Sequence, residues 1–144
     1  MDKAIGDWSE VIRLSPTNSE AYRNRGIARA LKGDTEAALR DYSQAIRLSP
    51  GDARAYNNRG ALYRRHGRVN EAFADLNEAL NLSPDFAPAI YNRGLCYYKE
   101  GKTARAVDDF TKVIRLSPRG EAAKAFQWRG LAYYTPRRHD FGFG

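Results

Sequence analysis

Between Asn18 and Lys32 the apolar residues Ala21, Tyr22, Ala28 and Leu31 recur at helical spacing, with Gly33 placed to cap the last turn. That pattern predicts one helix. After Asp34 or Thr35, either a suitable N-cap, a second stripe runs through Ala38, Tyr42, Ala45, Ile46 and Leu48 and stops at Ser49-Pro50. A residue before proline is biased away from helical dihedrals, so Leu-Ser-Pro reads as a stop that folds each helix pair back on the next.

The pair repeats. Pro16, Pro50, Pro84 and Pro118 stand 34 residues apart, each inside Leu-Ser-Pro. Gly26, Gly60 and Gly94 keep the same step, as do Gly33, Gly67 and Gly101. So do Ala4, Ala38, Ala72 and Ala106, and Asp7, Asp41, Asp75 and Asp109. Agreement of five registers on one period identifies a repeat array, in which neighbouring units complete one another's core. Gly26 with Ala38, Gly60 with Ala72 and Gly94 with Ala106 are small enough to let two helices approach closely. Tyr63, Tyr97, Phe110 and Trp8 are expected to fill the wider parts of the seam.

Gly-x-x-Tyr in the first helix, Ala followed four residues later by an aromatic in the second, and a closing Pro resemble the tetratricopeptide repeat. The resemblance covers residues 1 to about 135. Arg29, in place of Tyr, and Leu76, in place of an aromatic, depart from it. It implies an all-α fold, a right-handed superhelix (solenoid) of antiparallel helix pairs. The expected division is one domain over 1–135, with a partial unit at 1–18, repeats at 19–52, 53–86 and 87–120, a partial unit at 121–135, and an irregular tail at 136–144.

Residues 1–16 supply only a second helix, Ala4, Trp8 and Val11 matching Ala38, Tyr42 and Ala45. Gly130 lies twelve residues after Pro118 where its counterparts lie ten after theirs, so a two-residue insertion near Arg119 to Ala122 is expected to lengthen that connection. A helix from Ala123 to Tyr134 then opens a further unit. The expectation from this register is a piece of a longer array, the alternative being a short array capped by its last helix.

Composition narrows the function. The chain has 144 residues, 42% hydrophobic and 28% charged, with no apolar run near the roughly 20 residues that span a bilayer. Its first residues show neither a basic nor an apolar leader region, so the expected setting is cytoplasmic. One cysteine, Cys96, and two histidines, His66 and His139, do not make a metal site, and no cofactor is expected. Cys96 shares its register with Ala28, Leu62 and Ala132 and reads as core; His66 reads as solvent-facing. No Ser/His/Asp set or phosphate loop follows from the spacing, so an enzyme is not expected. Ser15, Ser49, Ser83 and Ser117 precede prolines and read as helix-end residues.

The resemblance places the first helices on the concave face. Asn24, Asn58 and Asn92 recur there, similar to the asparagine ladder with which O-GlcNAc transferase repeats hold peptide backbone; an amide side chain offers a donor and an acceptor together. The alternative is that they bridge neighbouring helices. Trp128 takes the place of the next asparagine. Arg23, Arg54, Asn57, Arg64, Arg65, Tyr91, Tyr98, Lys99, Lys124, Gln127 and Tyr134 are expected on the same face, against only Glu20. A net charge of +7 would steer acidic partners toward it.

The candidate peptide-binding set is therefore Asn24, Asn58 and Asn92 for backbone, Arg54, Arg64, Arg65 and Lys124 for carboxylates, and Tyr91, Tyr98 and Trp128 for side chains, with Arg23 and Lys99 as further members of the basic face. The carboxylate clamp that relatives use on chaperone tails matches only in part. Arg23 and Asn58 fit, while Ile27, Pro88 and Asn92 do not; one repeat on, Asn92 and Lys124 fit, while Asn57, Ala61 and Trp128 do not. Arg25, Arg59, Arg93 and Arg129 precede the glycines and could pair with the periodic aspartates. The expected role is a protein-interaction scaffold for an extended acidic peptide. The alternative is self-assembly, copies stacking end to end through incomplete terminal units. Nucleic acid is not the expected partner, since no nucleic-acid motif accompanies the charge.

Overall fold

The structure, a computed structural model, describes residues 2–117 and 119–134. Pro118 and the expected tail at 136–144 lie outside the described residues. The chain is all-α: α1 (Asp2–Leu14), α2 (Ser19–Lys32), α3 (Thr35–Leu48), α4 (Ala53–Arg65), α5 (Val69–Leu82), α6 (Ala87–Lys99), α7 (Thr103–Leu116) and α8 (Glu121–Tyr134).

The Leu-Ser-Pro stop works through two backbone bonds. Ser15, Ser49 and Ser83 each donate N–H to the carbonyl four residues back, closing the helix, and each accepts at its own carbonyl from the residue three ahead, closing a turn. Asn18 and Asp52, at the ends of such turns, cap the next helix by accepting from Ala21 N (3.1 Å) and Arg54 N (3.0 Å). Within a unit the turn belongs to glycine. Gly33 has φ 94° and, with Asp34, donates to the last carbonyls of α2. Asp34 takes the expected N-cap place of α3 without a side-chain cap bond.

Each pair is drawn together where Gly meets a large residue of its own second helix. A Cβ on Gly26 would stand 2.7 Å from the Tyr42 ring, one on Gly60 2.9 Å from Leu76, and one on Gly94 2.7 Å from Phe110. Ala38, Ala72 and Ala106, all 0% exposed, fill the seam beside them. Leu76, the departure from the aromatic pattern, occupies the aromatic's place fully buried.

One residue before each glycine an arginine ties three helices. Nε and Nη2 of Arg25, Arg59 and Arg93 fork onto Asp41, Asp75 and Asp109 at 2.7–2.9 Å. Nη1 of each reaches back to the preceding second helix, at Ser9, Ser43 or Asn77. Each of the three aspartates has a bidentate partner, so the pairing specifies how units stack more than it adds net stability. Arg29, the other departure, gives Asp41 a second guanidinium at 2.9 Å.

The two extra residues before Gly130 do not lengthen the connection. α7 and α8 are separated by residues 117–120, as many as at the other unit junctions. The insertion instead lengthens the start of α8, which begins at Glu121; Gly120 turns the chain at φ 55° and Ala122 is buried, so helix is more favourable there than loop. Curvature follows from which helices touch. α2, α4, α6 and α8 contact one another in succession, whereas α1, α3, α5 and α7 make no contact among themselves within the described residues. The first helices are therefore the inner layer.

Candidate functional site on the inner face

Two clefts open between successive first helices. The first, about 250 Å³, lies between α2 and α4 and is lined by Ile27, Ala30, Leu31, Asn58, Ala61 and Arg65, with Tyr42 of α3 at its floor. The second, about 240 Å³, is walled by Leu95, Tyr98 and Lys99 of α6, Trp128 of α8 and Arg64 of α4. They are one device repeated: Ile27, Leu31 and Asn58 in the first correspond by register to Leu95, Lys99 and Trp128 in the second. A cleft of this size suits one side chain of a ligand. A cleft of about 410 Å³ on the outer layer, lined by Glu36, Arg40, Arg47 and Arg68 among others, mixes both signs of charge.

The second cleft holds a charge that its surroundings do not fully satisfy. Arg64 is half-buried, and its Nε is buried without a hydrogen-bond partner among the described residues. Burial, with Arg65 beside it, pulls the Arg64 pKa below its ordinary value, against a smaller opposing effect of Cys96 and Tyr91. An unmet buried donor costs about 1–3 kcal/mol, so a carboxylate reaching it would bind where the protein is already under-satisfied. Tyr98 and Trp128 form the aromatic wall, edge to face at 5.3 Å, and Lys99 stands exposed at the rim.

The other candidates divide. Arg54, Arg65 and Lys124 are exposed and open to solvent. Tyr91 is half-buried with its ring 6.0 Å from Phe110, which turns part of it toward the core. Arg23 forms a largely shielded ion pair with Asp52, Nε to Oδ2 3.2 Å, joining α2 to the start of α4, although the geometry is not that of a hydrogen bond and its Nε, like that of Arg64, is buried without one among the described residues. Asn24 and Asn58 make no side-chain hydrogen bond among the described residues, whereas Asn92 donates Nδ2 to Asn57 Oδ1 at 2.9 Å. One rung therefore bridges neighbouring helices, retaining one N–H and its carbonyl for a further contact. Residues the sequence reading left out of the site are Ile27, Ala61 and Leu95, which floor the clefts and share one register, directly after Gly26, Gly60 and Gly94. That register was the available signal.

Cys96 is fully buried, and burial pushes its thiol up to about 11, so it stays protonated near neutrality. His66 is exposed, its Nε2 3.1 Å from Thr35 Oγ1. Among the described residues no group of three His, Cys, Asp or Glu side chains is placed to hold a metal ion, and no helix is long and apolar enough to cross a membrane.

Helix pairs stacked with their first helices inward, bearing side-chain-sized clefts along that layer, define the helical-repeat interaction scaffolds. The TPR repeat profile matches residues 28–67 and 62–101, and the tetratricopeptide repeat profile matches 87–119; the chain belongs to the tetratricopeptide repeat family. No curated protein sequence matches it. Among solved structures it is similar to a MamA protein at 27% identity, covering 92% of this chain and 72% of that one with a TM-score of 0.78. A second MamA structure is similar at 25% identity, 99% and 79% coverage and a TM-score of 0.79. The first TPR of Spaghetti (RPAP3), bound to the HSP90 peptide SRMEEVD, shares the fold at 22% identity, 81% and 94% coverage and a TM-score of 0.73.

Proposed function

We propose that the inner face holds an extended, acidic peptide segment, with a ligand carboxylate anchored at Arg64 and Lys99 and a neighbouring side chain seated against Trp128. The observation that carries this reading is the buried Nε of Arg64, without a hydrogen bond among the described residues, in a cleft rimmed by a second cation. Exposed Arg54, Arg65 and Lys124 extend the positive field along the same layer. Asn24 and Asn58 offer amides to a backbone with no demand on its sequence. The RPAP3 repeat with its bound acidic peptide supports the same use of the fold, while the pairing of Arg23 with Asp52 argues against the chaperone-tail clamp in particular.

The test is a titration of Trp128 fluorescence in a Trp8→Phe background with an extended Glu-rich peptide, its Gln counterpart and its Lys counterpart. The Glu peptide should bind best, lose affinity as salt rises, and lose about tenfold on Arg64→Met. Equal binding of the Glu and Gln peptides would reject the acidic preference. Unchanged binding after Asn24, Asn58 and Asn92 are all replaced by Ala would reject the amide ladder. A second reading, copies stacking end to end, is favoured by one observation: Asp7 is exposed while its register mates Asp41, Asp75 and Asp109 are buried.

A further inference from the structure

Resting on that second reading, the repeated contacts between Arg-Gly and Asp followed by a large apolar residue specify a joint at single-residue register. Three times within this chain an Arg-Gly dipeptide of a first helix receives an Asp-large dipeptide of the following second helix: Arg25-Gly26 with Asp41-Tyr42, Arg59-Gly60 with Asp75-Leu76, Arg93-Gly94 with Asp109-Phe110. The carboxylate enters the guanidinium fork while the large side chain covers the glycine.

Helix α8 presents the same receiving half, and among the described residues nothing occupies it. Arg129 has already made the backward contact of its register mates, Nη1 to Thr111 Oγ1 at 3.0 Å. Its Nε and Nη2 face no carboxylate among the described residues, and a Cβ on Gly130 would have nothing within 4 Å. The flanking apolar residues stand open, Phe126 at 51% and Tyr133 at 66% exposure, and the Arg129 guanidinium lies over both rings at 5.1 and 6.0 Å. Helix α1 presents the entering half. Asp7-Trp8 holds the register of Asp41-Tyr42; Asp7 is exposed and unpaired among the described residues, and Ala4 and Val11 are only half-covered where Ala38 and Ala45 are 0% exposed.

We propose that the occupant of the α8 face is α1 of a second copy of this chain, Asp7 entering the Arg129 fork and Trp8 covering Gly130. The two halves are complementary in charge and in shape, one offering a guanidinium beside a notch, the other a carboxylate beside the largest side chain. The joint is head to tail and leaves an unused α1 at one end and an unused α8 at the other, so copies add in a row instead of closing as a symmetric pair.

Sedimentation of the intact chain over a range of concentrations tests this through charge reversal. Wild-type protein should gain mass steadily with concentration. Asp7→Arg alone and Arg129→Asp alone should each weaken association at least about tenfold, by like-charge repulsion across the joint. Mixing the two variants, or combining both changes in one chain, should restore it. Gly130→Leu, which the folded chain has room for, should abolish association with helical circular dichroism unchanged. Assembly that survives both single reversals overturns the register while leaving end-to-end stacking intact. A wild-type chain that stays monomeric throughout overturns stacking itself. If that monomer assembles once residues 135–144 are removed, the occupant is the chain's own terminal segment, which also carries an Asp-Phe pair at Asp140-Phe141.

Discussion

Helices α6 and α8 hold equivalent places in the array and carry the same central Arg-Gly, yet one is enclosed on two faces and the other on one. Ala89 and Cys96 of α6 are as buried as their register mates Ala125 and Ala132 of α8, because the preceding second helix covers that face in each, α5 for α6 and α7 for α8. On the other face Ile90 is 1% exposed and its mate Phe126 is 51% exposed. Gly94 lies under Phe110, whereas none of the described residues covers Gly130. The difference teaches that in a solenoid a core position is made by the next helix, not by the residue that occupies it.

The sharpest way to break the comparison is to remove the carboxylate. Asp109→Ala leaves the Arg93 guanidinium shielded and unpaired and should cost about 3 kcal/mol in denaturant unfolding, whereas Asp7→Ala should change stability by less than about 0.5 kcal/mol at concentrations where the chain is monomeric. The next largest effect changes sign between the two helices. Gly94→Ala drives a methyl into the Phe110 ring and should destabilise by about 2 kcal/mol, while Gly130→Ala, with open space around it, should stabilise by up to about 1 kcal/mol through helix propensity.

A smaller effect lies in the alkaline range and separates α3 from α1, where Trp8 takes the place of Tyr42. Burial raises the Tyr42 phenol from 10.0 to about 12, so the folded chain retains a proton that the unfolded chain releases. Its contribution is whole below pH 10 and is lost as pH climbs toward 12, a fall that Tyr42→Phe should make shallower in pH-dependent melts. Cys96 adds to the same slope, its thiol being raised from 9.0 to about 11. The gentlest test is labelling. With a thiol-reactive dye at neutral pH, Cys96 and an Ala132→Cys substitution in a Cys96→Ala chain should both be protected, and Gly130→Cys in that background should react at once. Equal reactivity of the last two would erase the two-faced description of α8.

Much of this was readable in the chain because repetition multiplies weak signals. The Arg and Asp registers predicted pairs that the structure supplies at Arg25, Arg59 and Arg93, and the Leu-Ser-Pro stops fall at the ends of α1, α3 and α5. The insertion before Gly130 was visible as a count but not as a conformation. Whether two residues join a loop or a helix depends on whether burying Ala122 outweighs the cost of ordering them, and that needs a neighbouring surface. The asparagines were equally legible as a ladder and equally silent about partners. Asn57 and Asn92 meet across 35 positions, a distance no helical period contains.

Local order was decided by the sequence alone: where helices begin and end, their period, and which small and large residues face each other within a pair. These depend on dihedral preferences and on contacts sixteen residues apart. Tertiary structure decided which faces remain open and which arginine of the inner layer has a carboxylate beside it. Arg23 and Arg64 are alike in sequence chemistry, and the Nε of each is buried without a hydrogen bond among the described residues; the first has the Asp52 carboxylate beside it at 3.2 Å, while the second lines an open cleft. Burial and pairing are properties of the surrounding helices, and curvature brings those together only once the units have stacked.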